Sequence, residues 1–210
     1  MRRETVAAFL LRALLAVAEA SGEEACDKGW ECSGIRLCCN GTIIGTDGVN
    51  IHASHFEELF PRRNDPIAHA SGFWNYRVFI AAAALFEPRG FGTTGGREVA
   101  VKELAAFLAH VGVSTSCMLL SCGRFYTNPM AWGLCYKREK NPYYCDDSNE
   151  LYRCVEVVEY YGRGALPVYW NYNYGIIGKG IKQDLLSHPE LLEQNATLAF
   201  EAAIWRWMTH

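Results

Sequence analysis

The chain has 210 residues, with 20 Lys and Arg against 23 Asp and Glu, and a net charge of −3 that implies no nucleic acid or other polyanion partner. Half of its residues are hydrophobic, enough for a sizeable core in one domain with appendages. No phosphate-binding loop, dinucleotide fingerprint or internal repeat occurs, so no cofactor is expected.

Residues 1–20 read as a secretory signal peptide. Arg2 and Arg3 precede a short apolar stretch from Val6 to Val17, and Ala18-Glu19-Ala20 offers a small-x-small cleavage site before Ser21. Arg12 interrupts the stretch, which keeps an N-terminal amphipathic helix open as the alternative. The run is too short to span a bilayer, so no membrane association is expected after cleavage. Nine cysteines favour disulfides and an oxidising compartment. No Cys-x-x-Cys pair occurs and the histidines are scattered, so no metal site is expected; His52 and His55 read as a surface turn.

Residues 21–55 form a Cys-rich segment and linker. Cys26, Cys32, Cys38 and Cys39 read as a small disulfide knot, with only Trp30 nearby to serve a glycan-binding module. The stretch 40–55 is glycine-rich and polar. Asn40-Gly41-Thr42 and Asn195-Ala196-Thr197 are glycosylation sequons, meaningful if the chain is secreted.

From residue 56 to 210 the pattern is helical. Phe56, Leu59 and Phe60 mark a short helix ending at Pro61. Tyr76, Phe79, Ile80 and Ala83 recur at helical spacing over 75–86, ahead of Pro88. Phe91 to Gly96 read as a Gly-rich turn. Ala100, Leu104, Phe107, Leu108 and Val111 form the next stripe, with His110 beside it as a packed or half-exposed residue. Residues 117–154 are loop-rich. Leu198, Phe200, Ile204, Trp205, Trp207 and Met208 describe a helix that is apolar nearly all round and therefore buried.

Three ordered motifs resemble the catalytic domain of glycoside hydrolase family 19, the plant-type chitinases. Residues 105–118, AAFLAHVGVSTSCM, resemble a helix AAFLAQTS that runs into His-Glu-Thr-Thr-Gly-Gly, whose Glu is the catalytic acid. Val113 takes the His position, Ser114 the Glu position, and Cys117 and Met118 the two glycines. Residues 131–139, AWGLCYKRE, resemble AWGYCFKQE, so Glu139 matches the catalytic base. Residues 160–174, YYGRGALPVYWNYNY, resemble YYGRGPIQLSHNYNY. Pro167 and Tyr169 stand where the family has the Gln and Ser that hold substrate and water, while Gly162-Arg163-Gly164, Asn171 and Asn173 are kept.

The resemblance implies an all-α, lysozyme-like, bilobed domain with long disulfide-stapled loops. It implies inverting chemistry, which needs two carboxyl groups roughly 6.5–9.5 Å apart. A serine cannot act as the acid, and general acid catalysis contributes roughly 10²–10⁴ in rate. Glu103 lies eleven residues before Ser114, roughly 16 Å along a helix, and nothing places Asp146 or Asp147 opposite Glu139. The pattern is that of the non-catalytic chitinase-like proteins of plant cell-wall formation, which share the GRGALP-YWN signature but carry Ser-Lys where this chain has Val113-Ser114. The expected partner is thus a β-1,4-linked polysaccharide, chitin- or glucan-type, held in the cell wall without hydrolysis, with an active endochitinase as the alternative. Tyr144, Tyr152 and Tyr172 align with groove aromatics and Asn173 with a polar contact. Cys145 and Cys154 match a family disulfide. Cys135 matches another bonded cysteine whose usual partner aligns with Ala68, leaving Cys117 or Cys122 to replace it. Family domains continue beyond the last helix, so the domain is expected to be incomplete at its C-terminus.

Overall fold

The computed structural model describes residues 51–117, 130–139 and 143–209, together with the backbone of 37–38 and 42–43. The signal peptide, Cys26, Cys32, Cys39, Cys122 and the Asn40 sequon lie outside the described residues. β1 (Leu37–Cys38) and β2 (Thr42–Ile43) pair antiparallel, with Leu37 opposite Ile43 and Cys38 opposite Thr42. The stretch beginning at residue 40 is therefore not all linker, and β-branched Thr42 and Ile43 suit the pairing.

Six helices follow. α1 (Ala53–Leu59) starts three residues earlier than the apolar spacing suggests, because His52 and His55 form its N-terminus. The His52 backbone N–H donates to His55 Nδ1 at 3.3 Å, so the pair belongs to a helix start and not to a surface turn. Ile51, just before it, is buried, and its carbonyl accepts the Tyr76 hydroxyl. α2 (Tyr76–Ala84) is capped by Asn75, whose Oδ1 accepts from the Val78 N–H at 3.1 Å. A 3-10 turn, Glu87–Arg89, takes up Pro88 near its start. Turns over 91–95 lead into α3 (Gly96–Ser114), as the glycines suggest. α4 (Asn171–Ile181), the short α5 (Leu191–Gln194) and α6 (Ala196–Thr209) complete the order.

The core is a relay of aromatic rings between these helices. Phe200 of α6 meets Trp74 at 5.0 Å and Phe79 of α2 at 5.3 Å. Phe107 of α3 meets Phe91 at 5.2 Å and Trp207 of α6 at 5.7 Å. Ala199, Phe200, Ala202, Ala203 and Ile204 are fully buried, whereas Trp205, Trp207 and Met208 are half-buried, so α6 is enclosed over its first turns only. No described helix is long and apolar enough to cross a membrane.

Two features hold the end of α3 against the segment 130–139. Gly112 and Gly133 meet backbone to backbone: a Cβ on Gly133 would lie 2.7 Å from Gly112 Cα. Thr115, buried just past α3, accepts the Leu134 N–H on its Oγ1 at 2.7 Å, and its carbonyl accepts the Cys135 and Tyr136 N–H groups at 3.1 and 3.0 Å. A Cys117–Cys135 disulfide locks the same contact. This resolves the alternative left open by spacing alone. Ala68, at the family cysteine position, packs in one small cluster with Cys117, Trp132 and Cys135. The staple thus keeps its place in space and changes its partner.

Candidate functional site

Three short extended segments lie side by side and set the site. The Glu139 N–H donates to the Gly162 carbonyl at 2.7 Å, and the Gly164 N–H to the Lys137 carbonyl at 3.0 Å. Arg163 and Val168 exchange both backbone bonds, at 3.3 and 2.9 Å. Arg138, Arg163 and Val168 therefore form one row across the ladder, and Glu139, Gly162 and Tyr169 the adjacent row. Alternate residues face opposite ways, so the two rows present opposite faces.

On the first face Arg163 is buried and bound on every side. Its Nε donates to Glu193 Oε1 at 3.0 Å, and its Nη1 to the Glu159 carbonyl at 2.7 Å and the Tyr174 hydroxyl at 3.1 Å. Its guanidinium lies 3.6 Å from the Tyr161 ring centroid. Arg138, largely exposed, pairs with the other oxygen of Glu193 at 3.2 Å. Burial pushes the Tyr174 phenol up, with Arg163 beside it pulling the other way. A cavity of about 540 Å³ opens beside this network, lined by His69, Tyr136, Lys137, Arg138, Glu193 and Gln194.

On the second face Tyr169 lays its ring across Gly162. A Cβ there would come within 2.5 Å of the ring. Burial raises the Tyr169 phenol, the Glu139 and Tyr144 charges raise it further, and Arg206 lowers it. Tyr144 is raised by burial and then by Glu139, so both phenols stand next to that carboxylate. Glu139 Oε2 is buried and has no hydrogen-bond partner among the described residues.

Next to Tyr169 is a cavity of about 710 Å³, lined by His110, Ser114, Leu166, Pro167, Tyr169, Arg206 and Trp207. It brings together Ser114, Pro167 and Tyr169, three of the positions the sequence singled out as departures from the family. His110 was expected to be packed or half-exposed. It is exposed, lines this cavity, and has its ring centroid 5.5 Å from that of Trp207. No carboxylate of a described residue lines the cavity. Glu103 instead accepts the Gly92 N–H at 2.9 Å, and Asp146 Oδ1 accepts the Ser148 N–H and hydroxyl at 3.0 and 2.6 Å.

The expected glycan contacts divide. Tyr144 meets Tyr169 at 5.2 Å and Trp170 at 5.4 Å, and Trp170 stacks on Tyr172 at 6.1 Å. Tyr144 and Tyr172 thus belong to one aromatic strip, joined by Trp170, which sequence reasoning missed. Trp170 is exposed and has φ 71°, a region that L residues rarely adopt. Its N–H donates to the Tyr160 carbonyl, and its own carbonyl accepts from Asn173 and Tyr174, each at 3.1 Å. These bonds hold the indole outward at the start of α4. The one signal in the sequence was a bulky residue directly before a helix of the pattern Asn-Tyr-Asn-Tyr. Asn173 donates its amide to the Tyr169 carbonyl at 2.8 Å, so it positions Tyr169. Tyr152 packs its ring on Gly175 of α4, where a Cβ would come within 2.1 Å. Buried Asn171 accepts from the Asp146 N–H at 2.8 Å and donates to the Tyr152 carbonyl at 2.6 Å, tying the loop to α4. Cys145 and Cys154 are bonded, as the resemblance implies. Asp147 lies close to both sulfurs, but a disulfide leaves no thiolate to ligate a metal.

The family described as chitinase class I, glycoside hydrolase family 19, matches residues 50–210. Chitinase-like protein 1 of Arabidopsis thaliana is 57% identical over 197 residues, covering 92% of this chain and 59% of its own length. Inactive chitinase-like protein 1 of Hevea brasiliensis is 40% identical, covering 84% of this chain and 57% of its own. The chain thus spans under two thirds of the length of these relatives. The solved structure of a family 19, class IV chitinase from Zea mays superposes with a TM-score of 0.58 at 33% identity, covering 75% of this chain and 70% of that one. The helical, lysozyme-like fold expected from the motifs is the fold of this neighbour, and the chain belongs to glycoside hydrolase family 19.

Proposed function

We propose that the chain is a secreted chitinase-like protein that holds a β-1,4-linked wall glycan without cutting it. The observation that carries this reading is the cavity at Ser114. It is walled by a serine, a proline, a tyrosine, a histidine and an arginine, and no carboxyl group of a described residue lines it. Glu139 stands at the position of the base, with nothing described opposite it to protonate a leaving oxygen. The strip Tyr144–Trp170–Tyr172 offers flat faces for sugar rings, and the Asn173 carbonyl oxygen fixes a hydroxyl. Cell-wall assembly is the role that fits binding without turnover.

The alternative, an active endochitinase, draws support from one feature: the unpartnered Glu139 Oε2, as expected of a base awaiting a water. Both readings meet in one experiment. The full-length protein, incubated with chitohexaose, is expected to release no product above background. Ser114→Glu is expected to leave that unchanged, because Pro167 and Tyr169 remain and catalytic groups act as a unit. Robust turnover abolished by Glu139→Gln would establish the endochitinase instead. Titration with chito- and cello-oligosaccharides is expected to give a dissociation constant of roughly 1 mM to 1 μM, about −4 to −8 kcal/mol. Tyr172→Ala and Trp170→Ala should weaken it, and Glu139→Gln should not. A folded protein that binds neither class would leave these rings as scaffold.

Secretion is tested by mass. Asn195 is exposed, and its Oδ1 accepts the Leu198 N–H at 3.1 Å. A plant-secreted product is expected to start near Ser21 and to carry sugar on Asn40 or Asn195. An unglycosylated product retaining Met1 would contradict it.

A further inference from the structure

The cavity beside Tyr169 is cationic where the family resemblance places an acid. Arg206 reaches it from α6 and spends one N–H on the Pro167 carbonyl at 3.0 Å. A guanidinium carries five N–H donors, and no other described hydrogen bond engages those of Arg206. Its charge is felt at the Tyr169 phenol, so it lies on the cavity side. His110 and Ser114 occupy the same face of α3 one turn apart, and no hydrogen bond to a described residue engages the imidazole or the serine hydroxyl. Four polar groups, His110, Ser114, Tyr169 and Arg206, thus converge on one hollow with donors to spare. Glu139, next to the phenols of Tyr144 and Tyr169, is not among the described residues that line the cavity. Leu166, Pro167 and Trp207 supply the apolar remainder.

We propose that this cavity binds the carboxylate of an acidic sugar residue, a uronate, with Arg206 as its counter-ion and His110, Ser114 and Tyr169 as hydrogen-bond donors. The volume of about 710 Å³ accommodates a sugar residue with its neighbours. An ionised carboxylate at position 114 would repel such a ligand, and the serine there does not. The inference rests on the glycan-binding reading above and narrows it from neutral chitin or glucan to a wall glycan that carries carboxyl groups.

A matched pair of ligands separates the two ideas. Cellotetraose and the tetramer of β-1,4-linked glucuronate share one backbone and differ only at C6. Titrated into the full-length protein, the glucuronate is expected to bind at least about tenfold more tightly, the difference a charge-assisted contact makes over a neutral one. Raising the salt should erode that preference and leave cellotetraose binding unchanged. Arg206→Gln should abolish it. Ser114→Glu, on an exposed residue with no described bond to lose, should reverse it while preserving the melting temperature. Equal or tighter binding of the neutral tetramer overturns the uronate assignment and leaves the glycan reading standing. A preference that survives both substitutions places the carboxylate elsewhere and also overturns it. No binding of cellotetraose, chitotetraose or the glucuronate by the folded protein removes both readings together.

Discussion

Glu193→Ala is expected to destabilise the domain by about 3–5 kcal/mol, more than any change at a surface ion pair. Arg163 is 4% exposed, and among the described residues Glu193 is the one carboxylate that reaches it. The remaining described partners are two carbonyls, a phenol and a ring face, none of which carries a full charge. Truncating Glu193 leaves a guanidinium out of water with no counter-ion, and arginine does not escape by losing its proton. The same carboxylate also holds Arg138, whose side chain is 59% exposed, so Arg138→Ala should cost only about 0–1 kcal/mol. For a domain of this size the Glu193 change corresponds to a fall in melting temperature of roughly 10 °C. Thermal and urea unfolding of the two variants side by side decides it. Equal losses at Glu193 and Arg138 would mean that water reaches Arg163 and that the network is ornamental.

Gly133→Ala is expected to cost about 3 kcal/mol and to impair glycan binding together with stability. The added methyl would sit 2.7 Å from Gly112 Cα and 2.8 Å from a Phe60 ring carbon, so backbone must move. What moves is the contact that sets α3, with Ser114 at its end, against the segment leading to Glu139. Gly112→Ala is the control. Its methyl meets the flexible tip of Met130 at 2.6 Å, which can swing away, and a Phe60 ring carbon at 3.1 Å, which need shift only slightly. Alanine also gains about 1 kcal/mol over glycine inside a helix, which offsets the residual crowding. Gly112→Ala should therefore be near neutral in both readouts. If both substitutions behave alike, the backbone contact does not govern the site.

Much of this arrangement was legible before the structure. The helices announced themselves through Phe79, Phe107 and Phe200, whose spacing reports burial whatever the ring packs against. Ser114, Pro167 and Tyr169 stood out because each changes the chemistry of a long ordered motif. The partners across the fold were silent. Nothing local ties Arg163 to Glu193, thirty residues on, or brings Arg206 and Trp207 of α6 against His110 of α3. The choice between Cys117 and Cys122 for Cys135 was equally closed to spacing, since only the end of α3 places Cys117 within bonding distance. Trp170 was hidden for another reason: its outward direction comes from a positive φ imposed by three backbone bonds, which side-chain pattern does not encode.

The two-faced ladder carries a consequence for how such a chain can diverge. Substitution alters one face at a time, so the site positions can drift while the buried ion network stays whole. Insertion or deletion is different. Removing one residue between Arg163 and Val168, or one between Cys135 and Arg138, changes the parity of everything after it in the ladder. After the second deletion Glu139 would turn inward beside Glu193, two carboxylates in a site built for one, and Arg138 would turn outward toward Tyr169. Chains of this kind should therefore vary freely in composition along these strands and hardly at all in their length.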